Sequence, residues 1–204
     1  MNSGFELKDK NKLWVKQVHE LAEWIGFESR NKYQILDEQN KLIGYAAEQQ
    51  KGIWGFLLRQ ALGHFRTFDV LFYDNARNLV IKAHHPFRWF FERIEIYNSQ
   101  SIFLGAIQKR FSFLTKRFDV EDNNGHVILE VASPIWKIWT FTFNFRNLKV
   151  AEVKKTWSGL LSEALTDRDN FQVEFHDQHM NENIKQLVLV SSVFIDLLYF
   201  EHKR

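Results

Sequence analysis

No cysteine occurs among the 204 residues. Within this chain that excludes a disulfide framework, a thiolate zinc site, a cysteine nucleophile and a palmitoyl or prenyl anchor. Proline occurs twice and glycine nine times, too rarely for a collagen-like or low-complexity chain. An excess of either charge is also missing: 27 Lys and Arg against 25 Asp and Glu leave a formal +2. No global field therefore draws the chain onto nucleic acid, and any basic surface has to be local. The opening MNSGFELKDKNK is polar and has no apolar run behind it, unlike a signal or transit peptide. No glycine-rich phosphate loop, nucleophile elbow or Walker sequence is present, so no motif points to an enzyme. There is one long apolar run, Ile184 to Phe200, and Asp196 interrupts it. A carboxylate in hydrocarbon costs about 2.5–3.5 kcal/mol even on lenient scales, so the run reads first as a helix over 182–200 buried in protein, with a true membrane span of 184–200 as the alternative.

Aromatics are what the chain has in surplus, with 20 Phe and 7 Trp. Trp14, Val18, Leu21 and Ile25 step by four, three and four, which predicts an amphipathic helix ended by Gly26. Residues 1–28 are accordingly read as a polar tail with that helix, and 29–204 as one further unit. From Tyr33 onward the pattern turns to strands. YQIL and KLIGYAAE flank DEQN; TFDVLFY and LVIKAHH flank DNARN; RIEIY and IFLGAIQ flank NSQS; KRFDV and HVILEV flank EDNNG; IWTFTFNF and LKVAEVKK flank RN. Five hairpins in a row predict an antiparallel meander closing toward a barrel. A wide barrel needs a filling that wall side chains cannot supply, and the C-terminal helix supplies it.

In a meander, alternate connections lie at the same end of the sheet. The tight turns would gather at one end, acidic in character. The longer connections would gather at the other, bringing Trp54, Phe56, Trp89, Phe90, Trp136 and Trp139 among Arg59, Arg88, Arg110, Lys116 and Lys137. Aromatic rings partition into the headgroup region of a bilayer and cations pair with lipid phosphates. These eleven residues are the candidate membrane-binding set. The same rings could instead plug the barrel mouth, with the cations as a solvated rim, or build a stacking platform for single-stranded nucleic acid.

Several stretches resemble the phospholipid scramblases, whose domain is related to the tubby-like and LURP-one-related folds. The densest is Thr156-Trp157-Ser158-Gly159 through Leu165-Thr166-Asp167-Arg168-Asp169-Asn170-Phe171; Asn31-Lys32-Tyr33, Tyr45-Ala46-Ala47-Glu48, Phe68-Asp69-Val70, Gly105 and Phe194-Ile195-Asp196 fall in step. The resemblance implies a β-rich α+β fold, a closed antiparallel barrel of about twelve strands around a hydrophobic C-terminal helix. It also implies a membrane-associated protein that binds phospholipid and mediates energy-independent movement between leaflets. Such a protein would sit peripherally on the cytoplasmic face of an anionic membrane. The competing reading is a soluble adaptor of the same fold that binds a protein. Where relatives often carry acylated cysteines, this chain has His-Pro-Phe-Arg-Trp-Phe-Phe-Glu-Arg at 85–93. The resemblance further implies calcium at a loop that begins at Asp167, with Asp169 as second ligand. Phe171, Gln172 and Gln178 fall where an oxygen ligand, a glycine and a bidentate carboxylate belong. The residues themselves read as a polar turn before a buried strand.

Overall fold

A computed structural model describes residues 5–18, 29–49, 67–88, 90–156 and 170–200. Twelve antiparallel strands close into a barrel: β1 (Lys12–Gln17), β2 (Ser29–Leu36), β3 (Leu42–Gln49), β4 (Phe68–Asp74), β5 (Leu79–His85), β6 (Arg93–Asn98), β7 (Phe103–Arg110), β8 (Thr115–Asp122), β9 (Val127–Pro134), β10 (Thr140–Phe145), β11 (Leu148–Thr156) and β12 (Asn170–Phe175). One helix, α1 (Glu182–Tyr199), runs inside. Each strand pairs with its neighbour in sequence, and β1 closes the ring on β12.

The five expected hairpins are all present, and the first four share one turn design. An Asp or Asn side chain at the head of each turn accepts a backbone N–H four residues on: Asp37 from Lys41, Asp74 from Asn78, Asn98 from Ile102 and Asp122 from His126. The residue before that donor adopts positive φ, namely Asn40, Arg77, Ser101 and Gly125. This is a type I turn followed by a left-handed residue, the usual three-residue hairpin loop. The fifth turn is the two-residue Arg146-Asn147, with φ of 48° and 66°, as a type I′ turn requires. Acidic residues at this end are thus used as turn caps, and Lys41, Arg77 and Arg146 interleave with them. The end is mixed in charge, not acidic as expected.

The helix expected from Trp14 begins instead as strand β1. Leu13, Val15 and Gln17 face inward and are buried while Lys12, Trp14 and Lys16 face out. Pairing on two sides, with β12 and β2, outweighs the helical spacing of a few apolar residues. The rest of that expected helix, 19–28, lies outside the described residues.

The core lies between the inner wall and α1. Tyr33, Ile35, Phe72, Ile81, Ile94, Ile96, Phe141, Phe143 and Phe171 point inward, and Leu187 through Val190, Val193, Phe194 and Ile195 of α1 meet them. Asp196, the polar interruption in the apolar run, accepts a hydrogen bond from the Tyr33 hydroxyl at 2.7 Å, which meets part of the cost of burying it. At the tight-turn end, residues 5–11 cross beneath the helix. The buried Lys185 ammonium donates to the carbonyls of Leu7, Lys8 and Lys10 at 3.1, 2.7 and 2.9 Å, and Leu7 N–H donates to Glu182. Phe5 packs on Gly44, where a Cβ would stand 2.4 Å from the ring.

Outward positions are the reverse of the core. Lys82, His84, Arg93, Glu95, Gln108, Arg110, Asp119 and Glu121 share the outer face of β5 to β8. The last six form a connected network, in which Arg93 pairs with Glu121 at 2.7 Å, and Arg110 with Asp119 at 2.6 Å and with Glu121 at 3.3 Å, while Lys82 and His84 pair with Asp69. A membrane-spanning barrel is apolar outside and polar inside; this wall has the opposite polarity.

Candidate functional site

Strand direction places the longer connections together, opposite the tight turns. Three neighbouring ones are described: 86–92 apart from residue 89, 111–114 and 135–139. Among the described residues thirteen large apolar side chains are exposed, and eight stand on these three fingers: Phe87, Phe90, Phe91, Phe111, Phe113, Leu114, Ile135 and Trp136. Phe113 is 88% exposed, Phe90 82% and Trp136 77%. At the opposite end the exposed apolar residues are mostly aliphatic, with Phe145 the aromatic exception. Single exposed apolar side chains need no explanation, but a cluster of rings at one end of a barrel does.

The fingers are held from below. Gln108 Nε2 donates to the carbonyls of Phe91 and Glu92 at 3.3 and 3.4 Å, and Lys109 N–H donates to Glu92 O at 2.9 Å. Phe91 has a φ of 50°, unusual for a bulky residue and a local strain that the clamp sustains. Cations flank the rings. Arg88, Arg117 and Lys137 are exposed. Arg88 stands 4.0 Å from Glu95, while Arg117 and Lys137 have no ion-pair partner among the described residues.

The expected site residues divide into three groups. Arg88, Phe90, Trp136 and Lys137 stand exposed on the fingers. Arg110 is engaged by Asp119 and Glu121 on the outer wall. Lys116 and Trp139 turn into the mouth. Trp139 stacks on Phe200 with ring centroids 5.2 Å apart, and the Lys116 ammonium lies 4.6 Å from the Phe200 centroid and 4.9 Å from that of Tyr199. Trp54, Phe56, Arg59, Trp89, Asp167 and Asp169 lie outside the described residues.

The mouth also contains groups that the sequence pattern did not single out. Lys155 of β11 lies 4.3 Å from the Phe200 centroid and 5.2 Å from that of Trp139. Lys109 of β7 lies 5.8 Å from the Tyr199 centroid and pairs with Glu92 at 2.6 Å. The helix has no basic residue in its own last turn, so strand lysines meet the negative end of its dipole. Burial first, and then the Glu92 carboxylate, push the Tyr199 phenol above its ordinary pKa. Its hydroxyl is buried and makes no hydrogen bond among the described residues. Strand parity was the available signal: Lys116 shares the inward face with Phe118 and Val120, and Lys155 with Val153.

Asp167 and Asp169, the ligands expected for calcium, are outside the described residues, and only the later places of that loop can be located. Phe171 and Gln172, its fifth and sixth places, belong to β12 and pair with β1 and β11, and Phe171 is wholly buried. A strand cannot make the sharp turn that such a loop needs. Among the described residues no three His, Asp or Glu side chains are grouped to hold a metal.

A family model described as Scramblase matches residues 3–202. Human phospholipid scramblase 2 is 25% identical over 203 residues, which cover 93% of this chain and 67% of that protein. Human phospholipid scramblase 1 is 25% identical, with 96% of this chain and 64% of that one covered. The Saccharomyces cerevisiae protein called altered inheritance rate of mitochondria protein 25 is 22% identical over 89% of this chain and 63% of its own length. An X-ray structure of an Arabidopsis thaliana protein superposes with a TM-score of 0.54 at 10% identity, covering 97% of this chain and 98% of that one; that likeness concerns the fold alone.

Proposed function

This chain belongs to the Scramblase family, and from that premise we propose that it docks peripherally on an anionic phospholipid surface, on the cytoplasmic face of a membrane, through the three aromatic fingers. The clustering of eight exposed apolar side chains at one end of the barrel carries the reading. A large apolar side chain withdrawn from water contributes about 1.5–3 kcal/mol, and each nearby cation about 1 kcal/mol on an anionic surface. Phe90, Phe113 and Trp136 enter the interface; Arg88, Arg117 and Lys137 meet phosphates. No described helix is long and apolar enough to cross a membrane, and the charged outer wall argues against crossing by strands.

Energy-independent movement of phospholipid between leaflets is the finer part of the proposal. The interior is filled by α1, so a headgroup has no route through the barrel. Movement would follow from disturbance of the bilayer around the inserted fingers. Flotation with phosphatidylcholine vesicles, with and without phosphatidylserine, tests docking. Phe113→Ser combined with Trp136→Ser is expected to lower partitioning at least about 100-fold on the burial figures above. A wild-type protein that stays in the soluble fraction with both vesicle types would overturn docking and leave the protein-binding adaptor. Leaflet exchange measured on the same vesicles tests the finer step.

A further inference from the structure

The fingers are bulky and short, and little of the charge around them is available. Phe111 and Phe113 meet edge to face, with centroids 4.7 Å apart and ring planes at 81°. Together with Leu114 they form one broad wedge whose three side chains are 66–88% exposed. The Ser112 and Thr115 hydroxyls share a hydrogen bond of 2.6 Å, so part of the polar cost of taking this wedge out of water is already met. Ile135 and Trp136 make a second wedge on a single turn of 3-10 helix, Ile135–Lys137. Phe90 and Phe91 make a third, where Gln108 holds the carbonyls of Phe91 and Glu92. All three are connections of one closed barrel, so they cannot spread flat along a surface as an amphipathic helix does.

Much of the charge is already engaged. Lys109 is paired with Glu92, Arg110 with Asp119 and Glu121, and Arg88 stands 4.0 Å from Glu95. Arg117 and Lys137 are exposed and have no ion-pair partner among the described residues. Eight exposed apolar side chains thus stand beside two exposed cations without a partner. A large apolar side chain withdrawn from water contributes more than a cation does at an anionic surface, so insertion supplies most of the attachment. Insertion of a wedge needs room between headgroups. A flat, tightly packed bilayer has to be opened to give that room. A strongly curved or highly unsaturated one already exposes acyl chain at its surface, and interfacial binding through apolar area responds to that difference. Resting on the docking reading, we propose that the fingers select among membranes of equal charge by lipid packing, and that their partner is a loosely packed bilayer. Arg117 and Lys137 draw the protein to an anionic surface without distinguishing loose packing from tight; the rings make the distinction.

Flotation titrations of the intact protein on phosphatidylcholine with a fixed share of phosphatidylserine test this. Small sonicated against large extruded vesicles isolate curvature, and dioleoyl against dimyristoyl chains, both fluid, isolate unsaturation at one size. The wild type is expected to bind small dioleoyl vesicles about tenfold more tightly, per accessible lipid, than large dimyristoyl ones, and the arm with the larger effect identifies the source of the loose packing. Phe111→Ala combined with Phe113→Ala should reduce that ratio to below about threefold. Arg117→Gln combined with Lys137→Gln should weaken binding to every vesicle type by a common factor and leave the ratio standing. All four side chains are exposed, so the barrel folds without them. Equal affinity of the wild type for every vesicle type overturns the inference while docking stands. A ratio that survives the ring substitutions but disappears with the cations overturns it as well. No binding to any vesicle removes the docking reading itself, and this inference with it.

Discussion

Ser101 and Arg77 adopt φ values of 62° and 67° without being glycine, which costs an L-residue about 1–2 kcal/mol against the helical or extended alternatives. Part of that cost is returned by the Asn98 and Asp74 side chains, which cap the turns. Ser101→Gly is expected to raise stability by up to about 1 kcal/mol in urea unfolding; a loss of stability would show that the Ser101 side chain contributes something the turn geometry does not reveal. The capping carboxylates also set the response to acid. Asp37 is held below its ordinary pKa of 3.8 first by the Lys10 ammonium, and Asp122 first by the backbone N–H of His126. Glu152 pays for burial but is carried below 4.5 by Lys149 and Lys154. Depressed carboxylates contribute their full stability above the unfolded pKa and lose it as pH falls through the folded one. Urea midpoints should be insensitive to these three groups from neutrality to about pH 5 and fall below about pH 4. The turns were legible as turns from Asp, Asn and Gly. Their use of acid as a cap, and not as surface charge, depends on side-chain rotation that composition does not convey.

Elements were read correctly wherever two strands lay close in sequence, because a hairpin carries its own turn signal. β1 has no such signal. Its partners are β2 across a long connection and β12 near the other end of the chain, so its local spacing could be taken for a helix. The alternation Leu13, Val15, Gln17 against Trp14 and Lys16 was nonetheless present. The C-terminal helix was legible because its apolar residues cover every side, and the depth of the barrel explains why they do. Two substitutions probe how tightly these elements are fitted. Gly105, with φ of 155°, would place a Cβ 2.3 Å from the Glu121 carbonyl and 3.2 Å from Leu187. Gly105→Ala should therefore destabilise by more than about 1 kcal/mol in thermal or urea unfolding. Lys185→Met leaves three strap carbonyls without their donor, each worth about 1–3 kcal/mol if it stays buried. Hydrogen exchange should accelerate first in residues 5–17, with β6 to β9 still protected; uniform acceleration across the barrel would contradict a local role for this contact.

For the molecule as a whole, the sequence made one point visible and obscured another. Interleaved aromatic and basic connections could be assigned to one end from strand direction alone, and the exposed fingers stand there. Which of those residues face out and which fill the mouth depends on parity near strand ends. Lys116 and Trp139 consequently belong to the recess, beside Lys109, Lys155 and Tyr199. A barrel with charges outside and apolar residues within should leave membranes under alkaline carbonate, and retention in the pellet would contradict peripheral docking. Ring closure has a temporal consequence. Val15 pairs with Phe171, so β1 is made before every other strand of the barrel and waits for its second neighbour until β2 to β11 have been made. Loop closure over that span makes the seam late and slow, and proteins dominated by such distant pairings fold in about milliseconds to seconds. Until β12 arrives, the growing sheet carries an open edge and the apolar lining that α1 will later cover. The growing sheet is therefore at greatest risk of aggregation just before β12 and α1 emerge.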